Sequence, residues 1–198
     1  MAAALVGAGG PADAWVLTMT AAPREIYVQV GAGTYTGGNY SSGGKPGANT
    51  TINTVSVTVP AASVGGGSAQ QMTSNSTVAD SFFDGYATCN PPTEVYVGAW
   101  SQEPKGQTGV ATLSVTSPAN LTSGAHAIPF SQISWTSAAN GDATADVAAG
   151  TFNGGSVALA SIAANTWVED CLTFTFKNSA VVAAGTYTGQ AIYTLSQP

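Results

Sequence analysis

Catalysis needs side chains that can converge, and this chain offers few of them. His126 is the single histidine, in a loop-like Ser-Gly-Ala-His-Ala stretch. A Ser-His-Asp arrangement would therefore have one possible base, and no Gly-x-Ser-x-Gly elbow sets a nucleophile beside it. His126 reads as an exposed loop residue. Asn140, Asp142, Thr144 and Asp146 alternate oxygen-bearing side chains along Asn-Gly-Asp-Ala-Thr-Ala-Asp, which are ligand types that Ca²⁺ accepts. The run lacks the glycine and the terminal glutamate of an EF-hand loop, so the expectation is a solvated turn and no metal. Glu169 and Asp170 stand together before Cys171. Glycoside hydrolysis by such a pair needs positioning that no motif here indicates, and both read as solvent-facing charges at the mouth of a strand. Trp15, Trp100, Trp135 and Trp167 offer flat faces suited to sugar rings, yet three of the four lie in strand-like runs where buried packing accounts for them. These residues imply no enzymatic activity and no cofactor.

The two cysteines, Cys89 and Cys171, fit one disulfide better than a metal site, because no second cysteine or histidine cluster accompanies either. Two buried free thiols are the alternative. A chain of low charge, rich in Thr and poor in Lys, favours the oxidising, extracellular setting in which the bridge forms. Charged residues make up 7% of the 198, and the net charge of −6 includes only Arg24, Lys45, Lys105 and Lys177 as cations. No basic patch can neutralise phosphates, which argues against nucleic acid as a partner. No apolar run reaches the length of a membrane span.

The elements that must carry these residues are strands. Trp15, Leu17 and Met19 alternate with Val16, Thr18 and Thr20 until Pro23 interrupts, and Ile26, Val28 and Val30 begin a second alternating run. Residues 1–22 thus read as an N-terminal arm on a single domain at 23–198. Residues 1–14 end in Ala12-Asp13-Ala14, the small-residue pattern before a signal-peptidase cut. Their apolar run is short and lacks a preceding basic residue, so a signal remnant and a plain Ala/Gly tail both remain open.

Val55, Val57 and Val59 alternate with Ser56 and Thr58 and read as a core strand. Val95 to Trp100 carries large or apolar residues on both parities, which implies cover on both faces. A change of parity between Phe130 and Ile133 reads as a bulge. Leu172, Phe174 and Phe176 share one face, and Tyr187, Ala191, Tyr193 and Leu195 share a parity across a Gly185-Thr-Tyr-Thr-Gly189 turn. These last two runs read as paired neighbours in one sheet. Short strands with turn signals every eight to twelve residues and no sustained helical period make the expected fold all-β, a two-sheet antiparallel sandwich.

The closing Ala184-Gly-Thr-Tyr-Thr-Gly189-Gln-Ala-Ile-Tyr193-Thr-Leu195 resembles the terminal strand of chaperone–usher pilins and of spore-coat-U-like secreted proteins. The Trp15 to Thr20 arm is similar in kind to their N-terminal donor strand. The resemblance covers about a sixth of the chain. The spacing of Cys89 and Cys171 is wider than the usual pilin bridge. It implies an immunoglobulin-like sandwich left incomplete, with Leu172, Phe174, Phe176, Tyr187, Tyr193 and Leu195 lining an acceptor groove for the Trp15, Leu17 and Met19 of a neighbour. It further implies a homopolymer, with a periplasmic chaperone and usher as partners and a cell-surface location. The alternative is a monomeric secreted carbohydrate-binding or adhesin module, in which the arm folds back on its own domain and some tryptophan is exposed.

Overall fold

The computed structural model describes residues 17–139, 142 and 144–198; Trp15 and the segment 1–14 lie outside the described residues. The N-terminal third contributes β1 (Leu17–Thr18), β2 (Glu25–Val30), β3 (Thr34–Thr36), β4 (Lys45–Gly47), β5 (Val55–Ser56), β6 (Gln70–Gln71) and β7 (Thr73–Ser74). The long strands follow: β8 (Val95–Gln102), β9 (Val110–Thr116), β10 (Asn120–Ser123), β11 (His126–Pro129) and β12 (Ile133–Ala138). The chain finishes through β13 (Gly150–Thr151), β14 (Ser156–Ala163), β15 (Thr166–Phe176) and β16 (Ile192–Ser196). Every pairing is antiparallel.

Two sheets make the sandwich. The larger runs β13-β12-β15-β8-β2, and the smaller runs β14-β9-β16. Side-chain alternation turns Val95, Val97 and Ala99 of β8, and Val168, Leu172 and Phe174 of β15, toward Ala111, Leu113, Val115, Leu159 and Leu195 of the smaller sheet. A bulge between Ala158 and Ala160 shifts the register of β14 against β9 and lets both Leu159 and Ile162 face this core.

β15 is the spine of the larger sheet, and each of its edges is shared by two partners. Along one edge β8 pairs with residues 166–170 and β6 with 175–176; along the other, β1 pairs with 166–167 and β12 with 171–176.

A cover layer lies over the outer face of this sheet. Tyr27, Tyr35, Tyr40, Phe82 and Phe83 pack against Trp100 and Trp167. It is built from the β3–β4 hairpin, a short 3₁₀ turn at Tyr40–Ser42 and the segment 76–90. Tyr40 and Ser41 donate their backbone N–H to Phe82 and Phe83 carbonyls at 2.9 and 2.7 Å, which ties the two parts together. All eight residues of β8 are buried in consequence, as its apolar content on both parities implies.

Several expectations need correction. β15 and β16 are not neighbours: β16 pairs with β9 in the other sheet, and the connection 177–191 crosses between sheets, touching the β10–β11 hairpin through Thr122 and Thr188. The run at Val55–Val59 has the right period but pairs only at Val55–Ser56, with β7, and belongs to neither main sheet. The parity change between Phe130 and Ile133 comes from a 3₁₀ turn at Phe130–Gln132 rather than a bulge.

Candidate functional site

The described part of the arm is seated on its own domain. Leu17 pairs with Trp167 and Thr18 with Thr166, and the Met19 N–H donates to the Asn165 carbonyl at 3.0 Å. Asn165 occupies the tight turn between β14 and β15 at φ +58°, a left-handed conformation that asparagine tolerates better than most residues. Its side chain accepts from the Glu103 N–H at 3.1 Å, which fixes the turn against the end of β8. Met19 is buried against Trp100 and Trp167, whose rings stack 6.3 Å apart across the β8–β15 pair.

Two anchors bracket the segment after the seat. Gln102 donates to the Thr20 carbonyl at 2.8 Å, while Arg24 donates to the fully buried Glu103 at 3.2 Å. Gln197 beyond β16 donates to the other oxygen of Glu103. Ala21, Ala22 and Pro23 therefore form a short joint between an arm and a fixed body.

Glu169, expected to face solvent, is a hub beneath the cover layer. One of its oxygens accepts from Ser81 Oγ at 2.8 Å, Tyr96 Oη at 2.6 Å and Trp167 Nε1 at 2.8 Å. Burial, then the neighbouring Glu169 charge, pushes the Tyr96 phenol well above its ordinary range, so it stays a donor. Glycine opposite Glu169 makes this possible: a Cβ on Gly98 would stand 2.3 Å from Tyr96 Oη. Gly98→Ala is expected to push the phenol off the carboxylate and destabilise the protein by about 1–3 kcal/mol. Urea unfolding checks this, and an unchanged midpoint would remove the hub from the account.

Asp170 is likewise not solvent-facing. Alternation along β15 points it into the sandwich, where it is 1% exposed. One oxygen accepts from the Val147 N–H, and the Ser137 hydroxyl lies close enough to the carboxyl to act as a second, weaker donor. Burial pushes its carboxyl up to about 7; the Val147 amide pulls against this, the Asp146 charge adds to it, and the Ser137 hydroxyl and Asp142 charge follow with smaller opposing effects.

An open cavity of about 690 Å³ adjoins the arm, between Thr18–Thr20 and the turn at Tyr40–Ser41, with Glu25, Lys45 and Phe83 on its walls.

The remaining sequence candidates are placed as follows. Cys89 and Cys171 form the disulfide, with Cα atoms 5.5 Å apart, beside Tyr96 and under Val78 and Phe82. It joins the cover layer to β15. Glu94 lies near both sulfurs, which are committed to the bridge and offer no metal ligands. Leu172, Phe174 and Leu195 are buried in the main core, and Phe176 and Tyr193 pack at its edge. Tyr187 stands apart in the crossing segment, donating to the Ala183 carbonyl at 2.9 Å. His126 is exposed at the start of β11, on a strand rather than in a loop. Trp100, Trp135 and Trp167 are all buried, so no described tryptophan offers a sugar platform. Sequence reasoning missed Asn165 and Gly98; an Asn in a two-residue connection and a Gly inside an otherwise bulky strand were the available signals.

Fold and site together define a disulfide-linked, all-β antiparallel sandwich with an N-terminal arm seated on an aromatic face. No helix among the described residues is long and apolar enough to cross a membrane. Compared with family models, with curated proteins and with solved structures, the chain matches none of them.

Proposed function

We propose that the chain is a structural subunit of an extracellular bacterial fibre that assembles by exchanging its N-terminal arm between copies. The return of the arm to its own domain is what the alternative implies, and it supports this reading only as the seat that an exchanged arm would occupy. The arm holds by strand addition at Leu17–Thr18 and by one inserted side chain, Met19, on an edge of β15 that β12 leaves uncovered. Strand addition of this kind reads main chain plus alternate side chains, and an identical arm from a neighbour satisfies it equally well. The joint at Ala21–Pro23 is where the path would diverge. Head to tail, such a contact does not close on itself and grows a filament. The sparse charge and the Thr/Ser-rich surface suit a densely packed polymer. An immunoglobulin-like strand order, a pilin kinship, and a periplasmic chaperone and usher that hold the seat before assembly belong to the same reading.

The test is electron microscopy of protein purified under oxidising conditions, with its mass distribution. Filaments are expected, and they should vanish when Leu17 and Met19 are replaced by serine while the domain stays folded. A monodisperse monomer at every concentration would sink the reading.

The cavity beside the arm favours a second reading, a monomeric secreted glycan-binding or adhesin module. It combines the aromatic rings of Tyr40 and Phe83 with the polar Thr18, Thr20, Glu25 and Lys45, the mixture that sugar recognition uses. Binding on a glycan array by a strictly monomeric protein, lost on Tyr40→Ala, would select it.

A further inference from the structure

Val55-Ser-Val-Thr-Val59 has the period of a core strand and almost no strand to pair with. Burial alternates along it, with Val55, Val57 and Val59 half-buried and Ser56 and Thr58 exposed. Val55 and Val57 pack against the main core, so that face of the run is already in use. Its main chain is not. Val55 and Ser56 pair with Ser74 and Thr73 of β7, and among the described residues no hydrogen bond reaches the main chain of Val57, Thr58 or Val59.

The register says which edge is open. The Asn75 N–H donates to the Thr54 carbonyl at 3.1 Å, and the Thr54 N–H donates to the Asn75 side chain at 2.8 Å. In an antiparallel pair the main-chain bonds recur at every second residue, so Thr54 and Ser56 turn theirs to β7 and Val55 turns its own away. The Ser74 N–H agrees with this, because it points away from β5 and donates to the Pro92 carbonyl at 2.8 Å. Continued along the run, Val55, Val57 and Val59 present donors and acceptors to an edge that no strand covers, since β5 and β7 make a sheet of their own. Such edges are ordinarily blunted by lysine, by another charge or by a proline within the strand. None of these stands between Ile52 and Val59, and Pro60 only ends the run.

We propose that this edge pairs with its own copy in a second molecule, antiparallel and about a two-fold axis at Val57. The occupant follows from the pattern. Val-Ser-Val-Thr-Val matches its own reverse, valine for valine and hydroxyl for hydroxyl, so a partner on this axis sets Val59 against Val55, Val57 against Val57 and Thr58 against Ser56. The valine pairs exchange the main-chain bonds left open, and the hydroxyl pairs meet on the exposed face, a favourable cross-strand combination. The same register brings the exposed Ile52 beside the exposed Ala62 of the second copy. Charge permits the approach: the chain carries −6, yet residues 52–62 hold no charged side chain, so two like-charged molecules meet here without opposing carboxylates. The contact closes on itself and does not rest on the fibre reading; where arm exchange makes filaments, it links them side by side.

Sedimentation equilibrium over a range of concentrations tests this, on the full chain under oxidising conditions and on Leu17→Ser/Met19→Ser, which lacks the anchors of the arm. In the arm variant the mass is expected to rise from monomer to dimer and stop there. Ser56→Lys/Thr58→Lys, added to that variant, changes two exposed residues and sets lysine opposite lysine on both sides of the axis. It should fold normally and weaken the dimer by about tenfold. Ser56→Glu/Thr58→Lys sets opposite charges against each other in the same register and should restore association. A monomer at every concentration in the arm variant, or a dimer equally strong with the lysine pair, overturns the proposal. A Glu/Lys variant weakened as much as the lysine pair removes the axis at Val57 and the proposal with it.

Discussion

Replacing Cys89 and Cys171 together by alanine is expected to lower the stability of the folded chain by about 4–5 kcal/mol, the largest loss of any change considered. The bridge spans 82 residues of sequence, and in the chain-entropy model closing so long a loop removes roughly that much freedom from the unfolded ensemble. Few of its neighbours can substitute for it. The segment 76–90 reaches the larger sheet through Phe82, Phe83, the Ser81–Glu169 hydrogen bond and the disulfide itself. Urea unfolding with and without reductant measures the effect. An unreduced protein that unfolds at the same midpoint as the double alanine variant would show that the cover layer is held by its aromatic rings alone.

Stability should fall as pH rises, the reverse of the usual behaviour of a salt-bridged carboxylate. The carboxyl of Asp170 is pushed up to about 7 by burial, with the Asp146 and Asp142 charges adding to it and the Val147 amide and Ser137 hydroxyl opposing. Below about pH 4 the group is protonated in both the folded and the unfolded chain and contributes nothing to the pH dependence. Between about pH 4 and about pH 7 the unfolded chain releases its proton and the folded chain does not, so unfolding becomes progressively easier; above that window the loss is complete. The full loss is on the order of 3 kcal/mol once solvent screening at the adjoining loop is allowed for. Asp146, also raised by burial and by the Asp142 and Glu169 charges, acts in the same direction. Urea midpoints at about pH 5 and about pH 8 test this, and Asp170→Asn should flatten the profile. A profile as steep in that variant as in the wild type would assign the effect to other groups.

The all-β class and the Cys89–Cys171 pairing were legible because each rests on local pattern. Period-two alternation shows in Trp15–Thr20 and Leu172–Phe176 whatever the partner strand is, and two cysteines admit one intramolecular pairing. Partner choice was not legible. β15 and β16 look like a hairpin because they are consecutive and separated by glycines, yet the connection between them is long enough to cross to the other sheet. The burial of Asp170 was within reach: the parity of Leu172 and Phe174, carried back along the same strand, lands on Asp170 and Val168. Reading charge as exposure outweighed that alternation. The Glu169 hub was out of reach, since Ser81, Tyr96 and Trp167 meet only after three distant stretches have folded.

The spine of the larger sheet is also among the last parts of the chain to be made. β2 and β8 pair with each other early, but neither β12 nor β1 has a place until residues 166–176 exist. During synthesis, which proceeds from the N-terminus, the arm precedes its own seat by some hundred and fifty residues. For that interval the arm and the bare edge of β8 are available to whatever stands nearby. Under the proposed exchange, whether Leu17 and Met19 settle at home or abroad would be decided by timing and local concentration as much as by affinity, because the two destinations would offer the same contacts.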